Sequence, residues 1–386
     1  MILGINASRA RSGGAKAHLI GILTEGDPAR YGFREVHVWS YPELLNVLPD
    51  RPWLIKHSPA ELTGSIFRQV WWERFSLPKE LRAIDCSILF NVDAGSVCRF
   101  SPVVTMSQDM LAYEPGEMSR YGLSKAYIRL ILLRFIQARS MKRSDGVIFL
   151  TNYASRIIQG VTGKLQHLSV IPHGVGEVYR QTISSGEWPD VRGRTIRCLY
   201  VSNAAMYKHQ WVVVRAIGEL RKCGYNVSLL LAGGGAGKAQ RMLDDAINQI
   251  DPLREFIDTI GFVPHDKLPG LLTKADIFVF ASSCENMPNT LLEGMASGLP
   301  IACSNRGPMP EVLADGGVYF DPEDAISIAD AVKQIIDDST LRATIVQRVK
   351  KLSDKYSWSR CASETFSFMV ESYENWIIKK KFSFKQ

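Results

Sequence analysis

Glu285 and Glu293 stand eight residues apart in Cys284-Glu285-Asn286-Met287-Pro288-Asn289-Thr290-Leu291-Leu292-Glu293-Gly294. An eight-residue step on a helix is about two turns. With a helix opening at Met287-Pro288, Glu293 falls inside it and Glu285 on the loop feeding its N-terminus. One carboxylate can then grip one end of an elongated ligand while the other reaches its middle. A strand-like Asp276–Ala281 precedes the pair, and Ala296–Ala302 reads as helix stop and next strand.

Groups suited to an anion stand elsewhere. Arg9-Ala10-Arg11-Ser12-Gly13-Gly14-Ala15 lies between the first strand-like run and a helix, so Gly13 and Gly14 can turn their amides to phosphate at a helix N-terminus. Lys208, in Tyr200–Gln210, is either a fixed cation for a departing anionic group or a solvated lysine at a helix start. The run Ala232-Gly233-Gly234-Gly235-Ala236-Gly237-Lys238 fails both the G-x-G-x-x-G and the Walker patterns, which disfavours a dehydrogenase or a kinase. Asp109 ends the strand-like Val103–Met106 segment, where it either faces a cleft or caps the next turn. No D-x-D occurs in the chain, which argues against a chelated metal, and no resident cofactor is expected.

Strand-like and helical runs alternate to position these residues. The strands are the N-terminal run, 35–39, 84–90, 103–106 and 146–150, then 196–201, 227–232, 277–281 and 300–303. Such alternation implies an α/β chain of parallel sheets covered by helices. Gly174 to Arg194, broken by Gly176, Gly186, Pro189 and Gly193, is the expected linker. The expected domains are 1–175 and 176–358, two doubly wound Rossmann-like units facing across a cleft at the carboxyl ends of their strands, with a C-terminal helix over 359–386 completing the first.

At 386 residues and 46% hydrophobic content the chain is long enough for two cores. No apolar run approaches the roughly 18 residues that span a membrane. The N-terminus reads as a strand rather than a signal peptide, and seven scattered cysteines without a C-x-x-C pair suggest reduced thiols, so a cytoplasmic protein is expected. Residues 1–180 hold 22 Lys and Arg against 15 Asp and Glu, whereas 181–386 hold 24 of each, so the net charge of +7 belongs to the first half. An anionic partner follows for that half. Nucleic acid is disfavoured, because no helix-turn-helix, RRM or zinc-finger signature accompanies the charge. The basic helix running from Lys125 to Arg143 reads either as a surface for anionic membrane or as a core helix with solvated arginines.

The E-x7-E segment resembles that of family 4 retaining glycosyltransferases of GT-B architecture. The resemblance extends in family order to the Gly13-Gly14 turn, to Lys208, to Ile171-Pro172-His173-Gly174-Val175 at the domain junction, and to Tyr356-Ser357-Trp358 before the last helix. It implies that Glu285 holds the donor sugar and Glu293 the ribose, and that Lys208 and Gly13-Gly14 meet the diphosphate. Asn289, Thr290, Leu291 and Gly233 complete the donor site, and Asp109 positions the acceptor. His173 either approaches the sugar or packs at the hinge. Asn203 departs from the family, which usually carries Gly-Arg where Ser202-Asn203 stand. The implied function is transfer of a hexose from a UDP- or GDP-linked donor to a glycan or lipid-linked acceptor in lipopolysaccharide or other cell-surface polysaccharide synthesis, peripheral to the cytoplasmic face of the inner membrane. The alternatives are a catalytically silent sugar-nucleotide-binding partner of another transferase and a nucleotide-sugar epimerase of the same fold.

Overall fold

The structure, a computed structural model, describes residues 1–11, 13–181, 188 and 194–383. Residues 182–187 and 189–193 of the expected linker, and Ser12 of the glycine turn, lie outside the described residues. The chain divides into two compact units, Met1–Gly174 with Ser357–Gln386, and Val175–Tyr356.

The first unit is built on β1 (Ile2–Asn6), β2 (Glu35–Trp39), β3 (Leu54–His57), β4 (Ile88–Asn91), β5 (Val103–Met106), β6 (Gly146–Phe149) and β7 (Leu168–Val170). Their order is β3-β2-β1-β4-β5-β6-β7, and every neighbouring pair is parallel. β1, β4, β5 and β6 are buried along their whole length, as strands covered on both faces must be. The strand expected from Ile84 begins only at Ile88. Asp85 takes φ +54° to close the turn after the Leu77–Ala83 helix, and Cys86 still donates its amide to Leu81 O at 3.0 Å.

The Trp358–Ser383 helix covers this unit against the Gly13–Glu25 helix. Trp358 lies on Gly21 so closely that any Cβ there would collide with the indole. Tyr31 Oη donates to Ser363 Oγ at 2.8 Å, and Phe366 stacks on Tyr31 with ring centroids 5.8 Å apart.

The second unit carries β8 (Ile196–Val201), β9 (Val227–Ala232), β10 (Ile257–Ile260), β11 (Ile277–Phe280), β12 (Ile301–Ser304) and β13 (Val318–Phe320), ordered β10-β9-β8-β11-β12-β13 and all parallel. Strand order reverses between β8 and β11, so their carboxyl ends form the switch point at which doubly wound sheets offer a crevice. The described start of the expected linker is part of this unit instead. Glu177–Gln181 is a short helix with Tyr179 fully buried, and Arg180 donates to Ser353 O at 2.9 Å and Tyr356 O at 3.0 Å. A buried tyrosine and a satisfied arginine hold these residues where a polar composition reads as linker.

Candidate active site

The loops leaving β8 and β11 meet at the switch point of the second unit. After β8 the chain makes a 3₁₀ turn over Met206–Lys208, its last residue held by Tyr200 Oη donating to Lys208 O at 2.7 Å. Ser283, on the loop after β11, donates its amide to Tyr207 O at 2.8 Å, and His209 Nε2 lies 2.9 Å from Ser283 Oγ. Two backbone loops are thereby locked together. Between them Lys208 Nζ forms an ion pair with Glu285 Oε1. Lys208 is only 8% exposed, so it is not a solvated lysine at a helix start. Its ammonium also lies 5.2 Å from the Tyr207 ring centroid and 5.5 Å from that of Phe280, within reach of cation–π attraction.

The helix after this loop spans Asn289–Ala296, and Pro288 at its N-cap supplies no side-chain cap. Asn289 N is taken by Met287 O and Leu291 N by Pro288 O, both at 3.0 Å. Glu293 is buried inside the helix, whereas Glu285 lies on the preceding loop, as the spacing implies. Glu293 Oε1 is 3.0 Å from Nε2 of His265, which in turn lies 3.1 Å from Tyr179 Oη. The hydrogen bond to Glu293 raises the His265 pKa above the ordinary histidine value. Neither His265 nor Tyr179 was legible as a site residue. His265 follows β10, an edge strand with a faint signal, and Tyr179 stands in the segment that reads as linker.

Gly233 sets the loop after β9 against the loop after β8. Its φ of +127° and the Ser202 carbonyl, with which any Cβ would collide, both require glycine. A bridge between Ala204 and Gly235 continues the contact, and Asn203 between them is exposed.

The remaining candidates belong to the first unit. Gly13 (φ +62°) and Gly14 open the Gly13–Glu25 helix directly after the β1 loop, and among the described residues nothing beyond its chain neighbours lies within 4 Å of where a Gly13 Cβ would be. The loop is anchored by Arg9, which pairs with buried Glu73 at 2.8 Å, and Asn6 donates to Glu73 at 2.8 Å and to Asn91 at 3.0 Å across the β1/β4 switch point. Asp109 accepts from Leu111 N at 3.0 Å, so its carboxylate caps the next turn. His173 is buried, its ring centroid 5.2 Å from that of His18 and 5.6 Å from that of Trp358, which is packing. Burial, then the neighbouring His173, hold His18 well below the ordinary histidine value. Among the described residues no group of His, Cys, Asp and Glu could hold a metal ion.

Two Rossmann-like units of this kind make the GT-B fold. The likeness to solved structures is one of fold: sucrose-phosphate synthase of Thermosynechococcus elongatus superposes with a TM-score of 0.72 at 15% identity, over 97% of this chain and 99% of that one. HepE of Anabaena, solved with UDP and glucose, gives 0.69 at 16% identity over 94% and 97%. In sequence, 112 residues are 33% identical to the O-antigen chain mannosyltransferase B of Escherichia coli, 29% of each chain. The chain spans less than half the length of the first curated relatives it matches. Residues 190–352, which contain Lys208, His265, Glu285 and Glu293, match the family of glycosyl transferases group 1.

Proposed function

We propose that the protein is a retaining glycosyltransferase that moves a hexose from a UDP- or GDP-linked donor to a glycan or lipid-linked acceptor in cell-surface polysaccharide synthesis. The observation that carries the proposal is the buried Lys208–Glu285 ion pair at the β8/β11 switch point, beside the N-terminus of the Asn289–Ala296 helix. A buried cation beside the positive end of a helix dipole suits a diphosphate. Glu293, held by His265, stands two turns deeper to receive the ribose hydroxyls.

In the reaction, the bond between the anomeric carbon and the donor phosphate oxygen breaks, and its electron pair leaves with the nucleoside diphosphate. The acceptor oxygen bonds the anomeric carbon on the same face, and its proton passes to the departing phosphate. Lys208 stabilises the charge that grows on that phosphate, and Glu285, released by the diphosphate from part of its pairing, accepts from a sugar hydroxyl. With this charge met by Lys208 and the helix dipole, we propose that the step needs no metal. His265 is a positioning residue for Glu293, and Gly233 shapes the nucleotide side of the site.

Peripheral attachment to an anionic membrane is part of the same reading. In the Lys125–Arg143 helix only Leu130, Gln137 and Met141 are buried, so it is not a core helix. Ile128, Ile131, Leu132 and Phe135 are exposed along one stripe, followed by Arg139, Lys142 and Arg143. A panel of UDP- and GDP-linked hexoses, assayed for release of nucleoside diphosphate, tests the activity. Tight nucleotide binding without turnover of any donor would replace it with a silent binding protein.

A further inference from the structure

The first unit contains a cavity of about 840 Å³ that the donor chemistry does not use. It lies between the segment around Val70 and Arg74, the β4–β5 connection and the C-terminal half of the Lys125–Arg143 helix. Five arginines line it: Arg74, Arg82, Arg99, Arg139 and Arg143. Among the described residues that line it there is no Asp or Glu.

The carboxylates that chain proximity would bring are committed elsewhere. Glu73, next to Arg74, is buried against Arg9 and Asn6. Asp145 accepts from Ser101 Oγ at 2.8 Å and Val103 N at 2.9 Å. No ion pair within 4 Å involves any of the five guanidinium groups among the described residues. Desolvation, then Arg99, Arg139 and Arg74, weaken the hold of Arg143 on its proton, so like charges face one another across the cavity. Such an arrangement is destabilising when empty and is relieved by an anion.

We propose that this cavity is a binding site for a phosphate-bearing ligand, separate from the donor site. Guanidinium forks match phosphate oxygens in pairs, and several of them suit a diphosphate or a clustered phosphomonoester better than a single carboxylate. The volume exceeds that of one phosphate, and Val70, Phe100 and Phe135 supply apolar wall for the ligand's organic part. The phosphate can belong to a lipid headgroup or to a soluble phosphorylated molecule, and both present the same chemistry to the arginines. The site stands independently of the transferase reading.

The test uses the full chain and Arg99→Gln/Arg143→Gln, with Arg74→Gln/Arg139→Gln as a second pair should the first not fold. Inorganic pyrophosphate is titrated calorimetrically at low salt. Vesicles containing phosphatidic acid are compared with phosphatidylserine vesicles of matched surface potential. Pyrophosphate binding that weakens roughly tenfold or more in the arginine variants, but persists in Lys208→Ala, supports a soluble phosphate ligand. A preference for phosphatidic acid that the variants lose supports a lipid phosphate. The proposal is overturned if the wild type binds neither pyrophosphate nor phosphatidic acid above the phosphatidylserine level. It is also overturned if the variants match the wild type with both probes, or if binding follows Lys208 rather than the arginines.

Discussion

Lys208 and Glu285 are 77 residues apart in sequence and joined by an ion pair at the ends of adjacent strands. Each is the other's counter-ion in a site with little water, so neither can be removed without stranding a charge. Lys208→Ala alone should cost about 3 kcal/mol of stability, and Lys208→Met with Glu285→Gln should recover much of that loss. Urea unfolding of Lys208→Ala, of the singles Lys208→Met and Glu285→Gln, and of the Lys208→Met/Glu285→Gln double checks this. Additive losses would mean that the pair does not couple.

Glu293→Ala should weaken nucleotide binding by about 1.5–3 kcal/mol, the worth of a charge-assisted hydrogen bond. Calorimetry with UDP and GDP reads it directly. Unchanged affinity for whichever nucleotide the wild type binds, in a folded variant, removes Glu293 from the ribose.

The His265–Glu293 bond gives stability a pH dependence of definite sign. The folded pKa of His265 is raised, so its contribution is fully present below the unfolded value of about 6.5 and is lost as pH rises through the folded value. The urea midpoint of the wild type should therefore exceed that of His265→Gln by more at about pH 6 than at about pH 9. His265 is exposed, so the difference will be modest. An advantage that is the same at both pH values, or larger at the higher one, contradicts the assignment.

Gly233→Ala introduces a side chain where φ is +127° and the Ser202 carbonyl occupies the space. A destabilisation of about 1–3 kcal/mol is expected, together with weaker nucleotide binding from displacement of the loop after β8. A variant as stable as the wild type, with the same nucleotide affinity, would show that the two loops adjust freely.

Sedimentation with liposomes tests the membrane surface. Each cation near acidic lipid contributes about 1 kcal/mol and is screened by salt. Association should rise with anionic lipid, fall with salt, and drop when Lys125, Arg129, Lys142 and Arg143 become Gln. A wild type that ignores anionic vesicles at low salt removes the peripheral attachment.

The strands with long apolar runs were legible in the sequence, whereas β3, β7, β10 and β13, the four sheet edges, were not. Edge strands here are three or four residues long and partly exposed, so they carry little apolar signal. The places of Lys208 on a turn after a strand, and of Glu285 and Glu293 around a helix start, were legible because strand and helix periodicities flank them. Their pairing was not. Lys208–Glu285 and Glu293–His265 depend on which strands become neighbours, and the order β10-β9-β8-β11 is a property of the folded sheet. Cys284–Asn286 and Gly233 were readable as loops, yet the collision that makes Gly233 obligatory exists only once the loops after β8 and β9 touch. The arginine cavity was visible only as excess charge in the first half, since its five members come from three separate segments.

The most direct test is the rate of nucleoside diphosphate release from the sugar donor that the wild type turns over, measured beside Lys208→Ala under saturating donor. Charge grows on the phosphate as the glycosidic bond breaks, so turnover in the variant should fall by roughly 10²-fold or more while donor binding falls less. Turnover within a few-fold of the wild type would place the charge stabilisation on another group, and the assignment of the Lys208–Glu285 pair as the reacting centre would be wrong.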